Sequence, residues 1–393
     1  MEIYCDSAAT TAIDPEVIEA ILPYLTTNFG NPSSSHWAGR KVREMIENSR
    51  NTVARLLGVT PEEIFFVSGA TEANNLALSE SIREYGLTHA ITSRIEHKAV
   101  LQPLLKHERE GDIKISYVKL DEKGNVDLEH LESLLAANPQ SLISLMHANN
   151  EIGNITDIEA VSRLARKYNA AFHTDTTQTI GKIKLNLDKY PVDFLVGSAH
   201  KFHGPKGVGF IYINKRHSLK ARILGGGQEK GQRGGTENVI GIIGLAKALE
   251  VAYRDFDTVH EKTAVLKQRL IAQLENSGIP GIGFNGESKS SIKSLSSVVN
   301  ISFPCLQSGS LVNSLDTLGI AVSGGSACSG NGGSHVISAI KHEADRENVR
   351  FSFSKFNTAE EIDQIVNTIS RIYQVEHTFE ESQIEQEVFT WAP

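Results

Sequence analysis

Residues 157–201 read DIEAVSRLARKYNAAFHTDTTQTIGKIKLNLDKYPVDFLVGSAHK, and the order of patterns in this stretch decides the fold. DIEAVSRLARKYN has the apolar spacing of an amphipathic helix. AAFHTD and VDFLVGS are short apolar runs that stop at polar residues, Asp175 in the first and Ser198 in the second. Strands of this kind, alternating with helices, predict an α/β fold with a mainly parallel sheet covered on both faces. After Ser198 come Ala199, His200 and Lys201, then FHGPKG, with hardly an aliphatic side chain among them. A lysine at the end of a buried strand calls for a chemical explanation.

The same alternation extends outward. GRKVREMIENSRNTVARLLG carries Val42, Met45, Ile46, Val53, Leu56 and Leu57 at helical spacing. TPEEIFFVSG reads as a short helical turn and a strand, ATEANNLALSESIREYG as a helix, and HAITSRI and SLISLMHA as strands. Past ILGGGQEKGQRGGTEN the texture changes. A long helical region from about Val239 to Glu275 leads into LSSVVNISF, GIAVSGGSACSGNGG and NVRFSFS, then a helix beginning TAEEIDQIVNTIS. This predicts a large domain over 15–255 and a smaller α/β domain made of 1–14 and 256–393.

Composition narrows the function. The chain has 393 residues, enough for two domains, and a formal net charge of -8 that offers no general attraction for nucleic acid or anionic lipid. No segment approaches the roughly 20 consecutive apolar residues of a membrane span. The start, MEIYCDSAATTAIDPEV, has neither a secretory nor an organelle-targeting pattern, which predicts a cytoplasmic protein. Cys5, Cys305 and Cys328 are far apart and form no C-x-x-C, and the 14 histidines show no H-E-x-x-H spacing. Neither a disulfide framework nor a metal site is expected.

Ligands of open α/β sheets gather at the carboxyl ends of the strands, so the residues just past each predicted strand belong together. They are GATEANN, EHKAV, HANNEIG, DTTQ and SAHK. Lys201, at a strand end where burial and neighbouring groups would favour an uncharged amine, is suited to forming a Schiff base with an aldehyde; alone it reads as a solvated surface lysine. Asp175 is placed to pair with a pyridinium nitrogen, although an aspartate there is also an ordinary turn residue. Gly69-Ala70-Thr71 opens a helix directly after a strand, where amide N–H groups favour a phosphate, or where Ser68 or Thr71 acts as a plain helix cap. His97 can lie against a cofactor ring or sit exposed at a helix start. Ser198 and His200 flank Lys201 closely enough to reach the same phosphate, and Gln178 can approach a phenolic oxygen. Together these are the parts of a pyridoxal 5'-phosphate site.

The motifs SGATEANN, EHKAV, MHANNEIG, HTDTTQ, SAHKFHGPKG, GGGQEKGQRGGTEN, VSGGSACSG, SHV and VRFSFSKFNTAEEID run over nearly the whole chain. In that order and spacing the sequence resembles the NifS-type cysteine desulfurases, class V members of the fold-type I pyridoxal-phosphate transferases. The resemblance implies a mainly parallel seven-stranded sheet, a homodimer, L-cysteine as substrate and a protein that accepts the sulfur. It makes Lys201 the Schiff-base lysine, Asp175 the pyridine-nitrogen partner and His97 the stacking residue and proton shuttle. It gives the phosphate to Ala70, Thr71, Ser198 and His200, and the phenolic oxygen and substrate region to Gln178 and Asn150. Thr236 would reach the phosphate of the other subunit, and Arg350 would grip the substrate carboxylate.

Cys328 discriminates among enzymes of this kind. VSGGSACSGNGG sets a thiol among small residues, whereas a structural cysteine is usually embedded among large apolar ones. The resemblance makes it the nucleophile that becomes a persulfide, while Cys5 and Cys305 read as packing. The interval from Cys328 to SHV is shorter than in the family's long-loop members, SGNGG lacks their proline, and AIKHEADRENV is compact and charged. These departures touch the acceptor rather than the cofactor site. Iron–sulfur assembly, tRNA or cofactor thiolation and DNA sulfur modification all remain open as destinations. Rival readings are a selenocysteine lyase, an aminotransferase, and a non-catalytic partner or scaffold. GGGQEKGQRGG lacks the spacing of a nucleotide-binding loop.

Overall fold

The computed structural model describes residues 2–326, 333–340 and 346–390. After the short strand β1 (Ile3–Tyr4) come α1 (Pro15–Thr26), α2 (Trp37–Leu57), β2 (Ile64–Val67), α3 (Ala70–Tyr85), β3 (His89–Thr92), α4 (Lys98–Glu110), β4 (Lys114–Tyr117) and α5 (Leu128–Ala137). The chain continues through β5 (Leu142–Ser144), α6 (Ile158–Lys167), β6 (Ala171–Asp175), β7 (Phe194–Ser198), β8 (Gly209–Ile213) and α7 (Val239–Arg254). Then follow α8 (Phe256–Glu275), β9 (Gly283–Phe284), β10 (Val298–Pro304), α9 (Leu311–Thr317), β11 (Ile320–Ala321), β12 (Ser323–Ser326), α10 (His335–Ile340), β13 (Arg346–Ser352) and α11 (Ala359–Thr390). Two compact units result, one of 10–150 with 155–257, the other of 1–9, 151–154 and 258–393.

The larger unit is built on a seven-stranded sheet in the order β2-β8-β7-β6-β5-β3-β4. Neighbours from β4 across to β7 are parallel, and β8 alone runs against them, pairing antiparallel with both β7 and β2. The sheet is therefore mainly parallel, as the continuous apolar runs predict. Its interior strands are buried along their length because helices cover both faces: Phe172, Phe194 and Phe210 are completely enclosed. Each such side chain contributes about 1.5–3 kcal/mol relative to exposure. Helix starts are fixed locally: Asp14, Asp127, Asp157 and Asn238 each accept a backbone N–H of the helix that follows. Gly58 and Gly86, at φ 72° and 58°, close α2 and α3 in the left-handed region.

The smaller unit has an antiparallel sheet, β12-β13-β10-β9, and a parallel pair, β1-β11. Val299, Ile301 and Phe303 of β10 and Phe351 of β13 pack with Leu266 and Leu270 of α8 in its core. Cys5 is buried there, and burial pushes its thiol up to about 12, so it is an inert packing residue.

The helical region expected to run unbroken from Val239 to Glu275 is two helices. At Asp255 the backbone leaves the helical region (ψ 7°), and its carboxylate is taken by Arg254 at 2.7 Å. Aspartate competes for local hydrogen bonds and tolerates a helix interior poorly.

Candidate functional site

Because β8 is antiparallel to both its neighbours, β2 runs in the same direction as β3, β5, β6 and β7. The segments that follow these five strands therefore leave from one edge of the sheet. They carry Ala70 and Thr71, His97, Asn150, Asp175 and Gln178, and Ser198, His200 and Lys201.

The start of α3 is open. Its N-cap is Gly69, with no side-chain cap, so neither Ser68 nor Thr71 takes the capping role. The first bond of the helix runs from the Ala73 N–H to the Gly69 carbonyl at 3.1 Å, which leaves the preceding amides of the first turn without a bond inside the helix. A Cβ on Gly209 would fall 2.5 Å from the Gly197 carbonyl oxygen and 2.8 Å from Gly69 Cα, so main chain packs on main chain here. That close approach puts the Ser198 hydroxyl 3.6 Å from where a Gly69 Cβ would stand. His200 is held by Thr10 through Nδ1 at 3.2 Å, and its carbonyl accepts from the Thr11 N–H and hydroxyl at 2.9 and 3.0 Å. Burial, then the positive charges of Lys201, Lys206 and Lys182, push its imidazole down to about 4. A neutral imidazole amid three lysines and an open helix N-terminus forms a field suited to a phosphate.

Asp175 ends β6 and is buried. Its Oδ1 accepts the Thr177 N–H at 2.9 Å and its Oδ2 the Asn74 amide at 2.8 Å. Gln178 is buried nearby in sequence and lies 3.5 Å from Lys182 Nζ. His97 is the N-cap of α4: its Nδ1 accepts the Ala99 N–H at 3.0 Å, so the neutral ring carries its proton on Nε2. The ring is exposed in the single chain. The His97 loop is fastened to the Asn150 loop twice, by Glu96 accepting the Met146 N–H at 3.0 Å and by Asn149 donating to the Ile95 carbonyl at 2.8 Å. Burial pushes the Glu96 carboxyl up to about 8 and His147 down to about 4, so both are uncharged at neutral pH.

Thr236 is exposed and, with Ser68 and Glu229, lines a cavity of about 210 Å³. Its loop is anchored by Glu229, which forms a two-pronged pair with Arg50 at 2.7 and 2.9 Å and accepts the Phe66 N–H. Arg233 of the same loop reaches Glu72 of α3 at 2.9 Å. GGGQEKGQRGG thus has a structural anchor of its own.

Arg350 belongs to the smaller unit. There its Nη2 donates to Asp6 Oδ1 at 2.7 Å and Ser323 Oγ at 2.9 Å, and Ser323 in turn donates to Asp6 at 2.8 Å. Cys328 lies outside the described residues. Sequence reasoning passed over Asn74, Glu96, His173, Asp6 and Glu229. Asn74 and Glu96 stand within motifs already singled out, and His173 is two residues before Asp175, hence on the same face of β6.

The class-V aminotransferase family model matches residues 3–365. The chain belongs to that family. The cysteine desulfurase IscS of Dictyoglomus turgidum is 42% identical over 378 residues, covering 94% of each chain. A solved NifS-like protein superposes with a TM-score of 0.88 at 38% identity, over 95% of this chain and all of the other. A structure described as SspA in complex with cysteine gives 0.78 and 32%, over 91% of this chain and all of the other. Within the family the chain groups with the NifS-type cysteine desulfurases, and the fold is that of the fold-type I enzymes. The class-V family uses pyridoxal phosphate. The residues present fit that group: an uncapped helix start and lysine-rich surroundings for the phosphate, and a buried, hydrogen-bonded carboxylate for the ring nitrogen.

Proposed function

We propose that the protein is an L-cysteine desulfurase, releasing L-alanine and leaving the substrate's sulfur as a persulfide on Cys328. What carries the reading is the meeting at one sheet edge of Asp175, Lys201 and the open start of α3, in a chain whose relatives are named cysteine desulfurases. Pyridoxal phosphate, when bound, supplies an aldehyde for amines and a ring that draws electrons from the substrate carbons. Lys201 would tether the aldehyde, Asp175 would hold the ring nitrogen, and Ala70, Thr71, Ser198 and His200 would hold the phosphate. Gln178 and Asn150 would face the phenolic oxygen and substrate. Lys201 and His97 move protons at the substrate carbons, His97 through Nε2, since its Nδ1 caps α4. Arg350 grips the substrate carboxylate. The Cys328 thiolate then attacks the substrate sulfur: an S–S bond forms, the Cβ–S bond breaks, and its electron pair stays with the carbon skeleton, which takes up a proton and leaves as alanine.

The active species is a homodimer in the cytoplasm, with Thr236 serving the partner's phosphate and a second protein accepting the persulfide sulfur. Exposure of Thr236, and of Phe29, Trp37 and Leu224, supports a covered face in the assembled form. No helix among the described residues is long and apolar enough to cross a membrane.

Purified protein should be yellow with pyridoxal phosphate and turn L-cysteine into alanine. Lys201→Ala should lose the characteristic absorbance, and Cys328→Ala should keep it while losing persulfide and alanine formation. A coloured Cys328→Ala that still makes alanine from cysteine at the full rate would remove the thiol from the reaction.

A further inference from the structure

Asp175 is the end of a hydrogen-bonded chain through the interior of the larger unit. Ser144 Oγ lies 2.9 Å from His173 Nδ1, His173 Nε2 lies 2.9 Å from Asn74 Oδ1, and Asn74 Nδ2 lies 2.8 Å from Asp175 Oδ2. Ser144, His173 and Asn74 are all fully enclosed. Three elements bring them together: β6 places His173 and Asp175 on one face, the β5–β6 register sets Ser144 opposite His173, and the first turns of α3 supply Asn74.

The donor at each step is dictated from Asp175 outward. An ionised carboxylate only accepts, so Asn74 must give it an amide N–H. The amide oxygen then faces His173, so Nε2 bears the ring proton. A neutral ring keeps only a lone pair at Nδ1, so Ser144 donates its hydroxyl. Burial keeps the ring neutral, holding it down to about 4 against the pull of the Asp175 charge. Every bond in the chain therefore points its hydrogen toward Asp175.

We infer that Asn74, His173 and Ser144 are positioning residues that fix the Asp175 carboxylate and reinforce its charge without neutralising it, readying it for a protonated ring nitrogen. The inference rests on Asp175 being the cofactor's partner. A lysine or arginine in the place of Asn74 would also hold the carboxylate, but as an ion pair with no net charge left for the ring. A neutral chain of single polarity strengthens bond by bond and leaves the full negative charge in place.

The ring nitrogens of His173 in ¹⁵N-labelled apoprotein read the chain directly and need no variant. The neutral Nε2–H form is expected at pH 7; a cationic ring or the Nδ1–H form would overturn the inference. For function, two ligands are compared: pyridoxal phosphate and its analogue with carbon in place of the ring nitrogen. Asn74→Ala should weaken pyridoxal phosphate about tenfold, the loss of one hydrogen bond to a charged group, and leave the carbon analogue within about twofold of wild type. Equal weakening of both ligands would reduce Asn74 to a structural residue and overturn the inference. Should Asn74→Ala fail to fold, Ser144→Ala serves at the far end, where Nδ1–H character should appear in the His173 signals. Wild-type protein that binds the two ligands equally would instead sink the assignment of Asp175 itself.

Discussion

Two charged groups, one in each unit, are held in opposite ways. Asp175 is held by neutral donors, an amide and a backbone N–H. Arg350 is held by another charge, Asp6, with Ser323 closing the triangle. A charge fixed by neutral dipoles is positioned and still available in full to a ligand. A charge fixed by its opposite is positioned but already partly satisfied, so the substrate carboxylate proposed to bind Arg350 would share the guanidinium with Asp6. The first arrangement suits a group that stays bound; the second suits a substrate that must arrive and leave in every turnover.

This contrast can be broken outright by Asp175→Asn, which keeps the shape and removes the charge. Affinity for pyridoxal phosphate and turnover should each fall about 100-fold, as when one member of a buried pair is lost. Near-normal cofactor binding in that variant would show that the charge at 175 is idle. On the other side, Arg350→Ala should raise the KM for L-cysteine about 30-fold, whereas Asp6→Asn, which unburdens the guanidinium, should lower it about threefold at low salt. An increase in KM for Asp6→Asn would mean that Asp6 serves Arg350 by orientation alone.

The smallest effect tests the neutrality of the buried groups behind the functional edge. His147, pushed down to about 4, and His173, pushed the same way, add stability above their ordinary value of 6.5 that is lost as pH falls toward 4. Glu96, pushed up to about 8 from an ordinary 4.5, adds stability at low pH that is lost as pH rises through 8. The melting temperature should therefore peak at roughly pH 6–7 and decline on both sides, with Glu96→Gln flattening only the alkaline side. A profile level from pH 4.5 to 9 would contradict these buried neutral groups.

Much of the larger unit is legible in the sequence because its strands are buried on both faces: FFV, AFHT and FLVG announce themselves as continuous apolar runs, and the polar residues that stop them mark the functional edge. The supports behind that edge are less legible. His173 could be found from the two-residue period of β6, but Asn74 reaches Asp175 across 101 positions and Glu229 reaches Arg50 across 179. No local pattern encodes such pairings; they follow only from which helix lands on which strand. The excursion of 151–154 into the smaller unit is illegible for the same reason, since neither composition nor periodicity changes there.

At the seam where Gly69, Gly197 and Gly209 meet, peptide units approach one another closely just before the start of α3, the turn proposed to hold the phosphate. One methyl group at 209 would meet backbone on two sides and prise the mouth of the helix from the strand, a geometric debt that no rotamer change nearby could settle.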